Sequence, residues 1–459
     1  MVVRTSGRGS VGVPSMIPNS DETIFALSSG TLPAGVAVVR LSGPATFSVL
    51  RTLVGELPEP RFAALRSIRS RDGRLLDTGL VVNFPNPASF TGEDCAEIHL
   101  HGGKAVVAAL LSELESFEGC RIAEAGEFSR RAFENGKLDL VEVEGLADLL
   151  AAETEMQRRL AAEQSFGRLS AVYEAWRERL LHARAMIEAE LDFSDEGDIP
   201  GAVSDRVWPD LGALAVEVRK QLEAERAGEI IRDGFKVVIA GSPNVGKSSL
   251  LNALADREIA IVTEYAGTTR DILHCELDLD GFAVHLFDTA GIRETNEPVE
   301  QEGIRRALGK MAEADLILHL KDASAAAGSV DLAYDGDVPV ITIGTKTDLR
   351  NDSSPKQTYD LMISSVQRAG MEELRQAILR KVRQKTDVMS LAIPSRIRQR
   401  QHLRDVLTNV EEAIKNVHIG LELRAEYLRR ASDSLGRITG KIDVEAMLGK
   451  IFSDFCVGK

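Results

Sequence analysis

The stretch "KVVIAGSPNVGKSSLLNAL" limits what this chain can fold into more than any other part of it. An apolar run of strand type ends at Gly241, turns through Gly246-Lys247-Ser248 and continues with the pattern of a helix. Strand, glycine-rich turn and helix in that order build a phosphate cradle. The glycines let backbone N–H groups face an anion, and the helix N-terminus adds its dipole. Lys247 reaches the β and γ oxygens, and the Ser248 hydroxyl is a Mg2+ ligand. From Gly234 to about Arg383, "KVVIAG", "AVHLFD", "LILHLKD" and "VPVITIG" supply short β runs separated by helical stretches, the rhythm of a parallel α/β sheet.

Further motifs follow in order. "HLFDTAG" ends a strand with Asp288, Thr289, Ala290 and Gly291, a carboxylate near the metal and a backbone N–H for the γ-phosphate. "AGTTRD" offers Thr268 and Thr269, one of them a typical second Mg2+ ligand. "VITIGTKTD" ends another strand with Thr345, Lys346 and Asp348. A carboxylate at Asp348 accepts hydrogen bonds from the ring N–H and exocyclic amine of guanine, and adenine has no matching donors. This order resembles the translation-factor-like GTPases. The implied nucleotide-binding set is Asn244, Val245, Gly246, Lys247, Ser248 and Ser249, then Thr263, Glu264, Tyr265, Ala266, Gly267, Thr268 and Thr269, then Asp288 to Gly291 with Thr345, Lys346 and Asp348.

The chain departs from that pattern in the guanine-reading motifs and at the catalytic position. Thr345 stands where Asn is usual; it keeps a hydroxyl and loses an amide, which lowers the expected base affinity. Ser364 and Ser365 stand where Ser-Ala is usual. Ile292 occupies the place of the water-orienting Gln of Ras-like enzymes and cannot bind water. Positive charge must then come from elsewhere. Asn244 with the loop "TEYAGT" is a candidate site for a monovalent cation, placed where an arginine finger's charge acts.

Around this domain the pattern changes. Asp21 to about Gly136 mixes strands ("AGVAVVRLSG", "DCAEIHLHGG") with a helix ("KAVVAALLSELESF"), an α+β unit. Leu138 to Ala227 is helical; Leu169, Val172, Trp176, Leu180, Ile187 and Leu191 share one face. After Pro394 the chain is helical again. The expected organisation is a multidomain α/β plus α chain: extension 1–20, disordered and with Met16 as a second candidate start; α+β domain 21–136; helical part 137–228; inserted P-loop GTPase domain 229–383; helical part 384–459, completing a discontinuous bundle.

A net charge of −15 argues against a protein that coats nucleic acid, while leaving room for a local basic patch; Arg396, Arg398, Arg400 and Arg404 in "SRIRQRQHLR" are candidates for phosphate contact. The four cysteines, Cys95, Cys120, Cys275 and Cys456, have no metal-ligand spacing and suit a reducing, cytoplasmic compartment. No stretch approaches the roughly 18 apolar residues of a membrane span.

Outside the phosphate loop, "VVRLSGP", "FTGEDCAEIHLHGG", "GEFSRRAFENGKLDLVEVEGLADLL" and "LGRITGKIDVEAMLGKIFSDFCVGK" resemble the tRNA uridine-modification GTPases called MnmE or TrmE, and the resemblance runs from Asp21 to Lys459. It implies an N-terminal domain that dimerises and binds a tetrahydrofolate derivative, and K+-stimulated GTP hydrolysis in which two GTPase domains meet. It further implies an FAD-containing partner (MnmG or GidA) in a heterotetramer, tRNA as substrate, and an aminomethyl-type group added to carbon 5 of the wobble uridine from a folate one-carbon unit. Position by position it implies K+ ligands at Asn244, Thr263, Tyr265 and Thr268, Mg2+ ligands at Ser248 and Thr269, and a water-positioning carboxylate at Glu300. Folate contacts fall on Arg40, Glu97, Lys137 and Lys459, with Cys456 near the folate as a catalytic thiol on a tail expected to be mobile. The rival is a GTPase switch resembling Era, without a chemical role; a metal transporter's K+-dependent GTPase would need a membrane span.

Overall fold

The structure is a computed structural model describing residues 21–192, 206–255, 274–288, 313–324, 336–350, 358–418, 420–442, 451–452, 455 and 458; the expected extension 1–20 lies outside the described residues. In the first strands the side chains alternate between the two faces, as a pleated backbone requires. Ala37, Val39 and Leu41 of β2 (Ala34–Ser42) are buried, and Val36 on the other face is exposed. With β1 (Thr23–Leu27), β3 (Ala64–Arg69), β4 (Leu75–Phe84), β5 (Cys95–Gly102) and β6 (Cys120–Ile122) it forms a sheet of order β3-β4-β5-β2-β1-β6. Only the β1–β6 pair is parallel. Helices α1 (Thr46–Val54) and α2 (Lys104–Glu115) cover one face through Leu50, Leu53, Leu110 and Leu114. Leu65 and Leu80 join Val36 as exposed apolar residues. Helix α3 (Glu127–Glu134) follows.

This compact unit spans Met1–Leu138 and also takes in Glu445–Lys459, so the expected helical segment 384–459 divides near its end. Phe452 and Phe455 are buried. Gly126, at φ 68°, lets them approach: a Cβ there would stand 2.6 Å from the Phe452 carbonyl oxygen. Ser28 Oγ donates to the Gly458 carbonyl at 2.8 Å.

The second unit, Asp139–Val444, begins with α4 (Leu140–Ala151) and α5 (Glu155–Ser165). Each starts with a capping box, Asp139 with Glu142 and Thr154 with Gln157, which satisfies backbone donors that the first turn cannot. Then come α6 (Arg168–Asp192), α7 (Trp208–Glu223) and α8 (Glu225–Asp233). The chain next enters a sheet made of β7 (Phe235–Gly241), β8 (His274–Leu279), β9 (Phe282–Asp288), β10 (Leu316–Asp322), β11 (Val340–Thr345) and β12 (Leu361–Met362), with α9 (Lys247–Ala255) following β7. The order is β12-β11-β10-β7-β9-β8, parallel except for the edge pair β8–β9. The chain returns through α10 (Met371–Thr386) to α11 (Ile397–Lys415) and α12 (Leu421–Thr439).

Helices from both sides of the insertion build one core: Leu169, Tyr173, Trp176 and Leu180 of α6, Leu211 and Leu214 of α7, Leu403 and Val406 of α11, and Leu428 and Leu435 of α12. The discontinuous bundle with an inserted α/β domain is therefore the observed architecture. Tyr173 and Ala183 are fully in this core, while Val172 and Leu191 sit at its edge. A helix with neighbours on two sides buries a wider arc than a single stripe.

The four arginines of "SRIRQRQHLR" do not form an open basic patch. Arg396 pairs with Asp148 at 2.7 Å, Arg398 with Glu144 at 2.8 Å, Arg400 with Glu229 at 2.6 Å and Arg404 with Glu225 at 2.7 Å. Arg398 also donates to the carbonyls of Arg437 and Ile438, at the C-terminal end of α12, where a cation complements the helix dipole. Burial pushes the Asp148 carboxyl up, against the pull of Arg396 and Arg232. Among the described residues, no helix is long and apolar enough to cross a membrane.

Glu144 is buried and accepts from Arg398 and Gln399, so Glu144→Ala leaves a mostly buried guanidinium without its carboxylate. Urea unfolding of the variant should show a loss of about 3 kcal/mol. A change under about 0.5 kcal/mol, the size of an ordinary surface substitution, would contradict this account of the bundle.

Candidate functional site

Five strands of the sheet run parallel and aim their C-terminal ends at one edge, where ligands of open α/β sheets bind. At the end of β7 the chain runs through Gly241 at φ 151°, Asn244 at φ 60° and Gly246 at φ 104° before α9 begins at Lys247. Gly241 is needed by contact as well as by dihedral, since a Cβ would stand 2.6 Å from the Leu320 carbonyl oxygen. Asn244 is among the few side chains that tolerate a left-handed backbone, and it is exposed at the mouth of the loop.

Lys247 is buried and its Nζ donates to the carbonyls of Gly241 at 2.7 Å and Ser242 at 2.9 Å. Burial lowers its ammonium pKa, and the charge of Asp288 works the other way. Ser248 Oγ donates to Asp288 Oδ2 at 3.5 Å, with Asp288 buried at the end of β9. An alcohol and a carboxylate oxygen converging beside a lysine fit a hard divalent cation bound together with phosphate.

On the other side of the loop, Asp348 sits in the turn after β11. Its Oδ1 accepts from Ser364 Oγ at 2.5 Å, and Ser364 Oγ accepts from the Gln367 N–H at 3.1 Å. Ser364 thus aims the carboxylate. Lys346, at φ 56°, donates through Nζ to Asp322 Oδ2 at 2.7 Å. Burial pushes Asp322 up, but hydrogen bonds from Lys346 and Ser324 prevail and hold its carboxyl below the usual range. Sequence reasoning passed over Asp322; the available signal was its place at the C-terminal end of a parallel strand next to β11. Thr345 does not face the base side: it is 3% exposed, and its hydroxyl is 2.7 Å from the Val245 carbonyl oxygen and 3.2 Å from that of Lys321.

In the first unit, Arg40 and Glu97 lie opposite each other on β2 and β5 and pair at 2.9 Å. The Arg40 guanidinium lies 5.4 Å from the Phe90 ring and 5.8 Å from that of Phe128. Gly92, in the same loop as Phe90, leaves room for the stem of Lys137. The three implied folate contacts that are described thus border one loop. The described residues on either side of Cys456 are docked: Phe455 and Gly458 are both buried, in contrast to the expected mobile tail. Thr263, Glu264, Tyr265, Ala266, Gly267, Thr268, Thr269, Thr289, Ala290, Gly291, Ile292, Glu300, Cys456 and Lys459 lie outside the described residues.

A phosphate loop on a parallel sheet, a serine and an aspartate converging beside its lysine, and an oriented carboxylate after β11 define the class: a P-loop GTPase domain, here carried inside a helical bundle. The remainder of the chain narrows this. A family model of the MnmE helical domain matches residues 140–456, and one described as GTP-binding protein TrmE N-terminus matches residues 23–137. The proteins named tRNA modification GTPase MnmE from Rhizobium etli and Rhizobium meliloti are 57% and 56% identical to it, over 96% of this chain and 99% and 100% of theirs. The corresponding protein of Agrobacterium fabrum is 53% identical over 96% of this chain and all of its own. The chain belongs to the MnmE family.

Asp348→Asn replaces one acceptor pair with a donor and an acceptor, which suits xanthine, with its 2-oxo group, better than guanine. Affinity for GTP should fall roughly 10- to 100-fold, the worth of a bidentate base contact, with a matching gain for XTP in competition binding. Unchanged GTP affinity would mean that Asp348 does not read the base.

Proposed function

We propose that this chain is a K+-dependent GTP hydrolase of tRNA modification, working in the cytoplasm with an FAD-containing partner of the MnmG or GidA family. In this reading the pair adds an aminomethyl-type group to carbon 5 of a wobble uridine, with a tetrahydrofolate derivative as one-carbon donor. The observation that carries the GTPase part is the convergence of Lys247, Ser248 and Asp288 on one side of the loop with Asp348 on the other. The tRNA part rests on the name shared by relatives that match the chain over nearly its whole length.

In hydrolysis, water attacks the γ-phosphorus, the bond to the β–γ bridging oxygen breaks, and that oxygen leaves with GDP. Lys247 and the loop N–H groups hold the phosphates in line. Ser248 and Thr269 would hold Mg2+, and Asn244, Thr263, Tyr265 and Thr268 would hold K+; bound, these ions supply the positive charge that offsets charge on the phosphate oxygens. Glu300 would orient the water, a task that Ile292 cannot perform. Arg40, Glu97, Lys137 and Lys459 would contact the folate. The exposed apolar residues Val36, Leu65 and Leu80, on the sheet face opposite α1 and α2, favour pairing of two copies through the first unit. The internal pairing of Arg396, Arg398, Arg400 and Arg404, together with the net charge of −15, favours the partner as the main holder of tRNA.

Turnover of GTP should be faster in KCl than in NaCl by ~10³-fold, the scale of a supplied arginine finger, and Asn244→Ala should erase the difference. Equal rates in both salts would sink the K+ assignment. Cys456 belongs in this reading to the modification step, as nucleophile or proton donor. Cys456→Ser should keep GTP hydrolysis near wild type and abolish wobble modification in nucleoside analysis of tRNA; a variant that modifies tRNA normally would reduce the thiol to packing.

A further inference from the structure

Thr345 stands in the base-reading motif, yet its hydroxyl is turned away toward the phosphate loop. Its 2.7 Å partner is the carbonyl of Val245, and its 3.2 Å partner is the carbonyl of Lys321 on β10. The Thr345 backbone is itself fixed, since its own carbonyl accepts from the Ala323 N–H at 3.0 Å. The hydroxyl therefore ties the loop to the sheet. The carbonyl it holds belongs to the peptide group joining Val245 to Gly246. In a trans peptide the C=O and N–H point in opposite directions, so holding the Val245 carbonyl toward Thr345 aims the Gly246 N–H away from it, toward the mouth of the loop.

That peptide has little else to fix its orientation. Gly246, which follows it, is at φ 104° with no Cβ to resist rotation. The peptide before it, Asn244–Val245, is also loosely held, its N–H making a long contact with the Ser242 carbonyl at 3.4 Å. A flipped peptide would present a carbonyl oxygen, and not a donor, to an anion. We infer that Thr345 is a positioning residue for phosphate: it locks the Val245–Gly246 peptide so that the Gly246 N–H faces the β-phosphate, and it does not read the base. This rests on the GTPase reading above, and assigns the unusual Thr of the base motif to the other half of the ligand.

Thr345→Val keeps the shape and removes the hydroxyl; Thr345→Ser keeps the hydroxyl. Competition binding to the full-length protein with GDP, GMP and IDP separates the two halves of the nucleotide, because GMP lacks the β-phosphate and IDP lacks the 2-amino group. For Thr345→Val the preference for GDP over GMP should fall roughly tenfold, the worth of one charge-assisted hydrogen bond. Its preference for GDP over IDP should stay within about twofold of wild type, and Thr345→Ser should restore the first ratio. A fall in the GDP-to-IDP ratio, alone or with the other, would overturn the inference, because a lock on Gly246 has no route to the base. So would a Thr345→Val protein with both ratios unchanged. A wild-type protein that binds no guanine nucleotide would overturn the GTPase reading and this inference with it.

Discussion

A domain inserted into a helical bundle has to bring the chain back to where it left, and here one buried carboxylate holds both crossings. Asp315, at the start of β10, accepts from Arg226 of the departing helix α8 at 2.6 Å and from Lys385 of the returning helix α10 at 3.2 Å. Its second oxygen accepts from the backbone N–H of Lys236, at the start of β7, at 3.0 Å. Both side-chain donors are charged, which suits a carboxylate taken out of water. The bundle needs this closure. Its core is made of helices from before and after the insertion, and neither half has a complete apolar partner alone.

From that junction a short, well-tied path leads to the site. Helix α8 is joined to α11 by Arg400–Glu229 and Arg404–Glu225, and to α4 by Arg232–Asp148 at 3.1 Å. Gly228 packs so closely on the Pro394 carbonyl oxygen that a Cβ would stand 2.3 Å from it. The helix passes directly into β7, whose end is the phosphate loop. The cradle is thus built on the central part of a sheet whose neighbours β9, β10 and β11 contribute Asp288, Asp322 and Thr345. Precision at the loop comes from strands, and the loop itself supplies the donors.

The fold class was legible in the sequence because each part announces a different period: alternation in β2 and β5, helical spacing in α6, and apolar strand runs around Gly241. The phosphate loop was legible because its chemistry is local. What escaped is what depends on partners distant in sequence. Arg396, Arg398, Arg400 and Arg404 look like a basic cluster until Asp148, Glu144, Glu229 and Glu225 are seen against them, as many as 254 residues away. Thr345 reads as a weakened base contact because the motif gives its neighbours and not the direction of its hydroxyl. Arg40 and Glu97 read as separate ligand contacts although strand register puts them opposite each other. "IFSDF" reads as an apolar anchor, and Phe452 and Phe455 are buried accordingly; the short end with Gly458 and Lys459 reads as mobile, yet Gly458 is buried in the first unit.

We propose that GTP hydrolysis in this chain serves a chemical change in tRNA. The direct measurement is nucleoside mass spectrometry on total tRNA from a strain lacking the gene, beside the same strain carrying it on a plasmid. The C5-modified wobble uridine should disappear in the deletion strain and return with the intact chain. A deletion strain whose tRNA keeps that nucleoside at wild-type level would contradict this proposal and favour a GTPase switch without a chemical role.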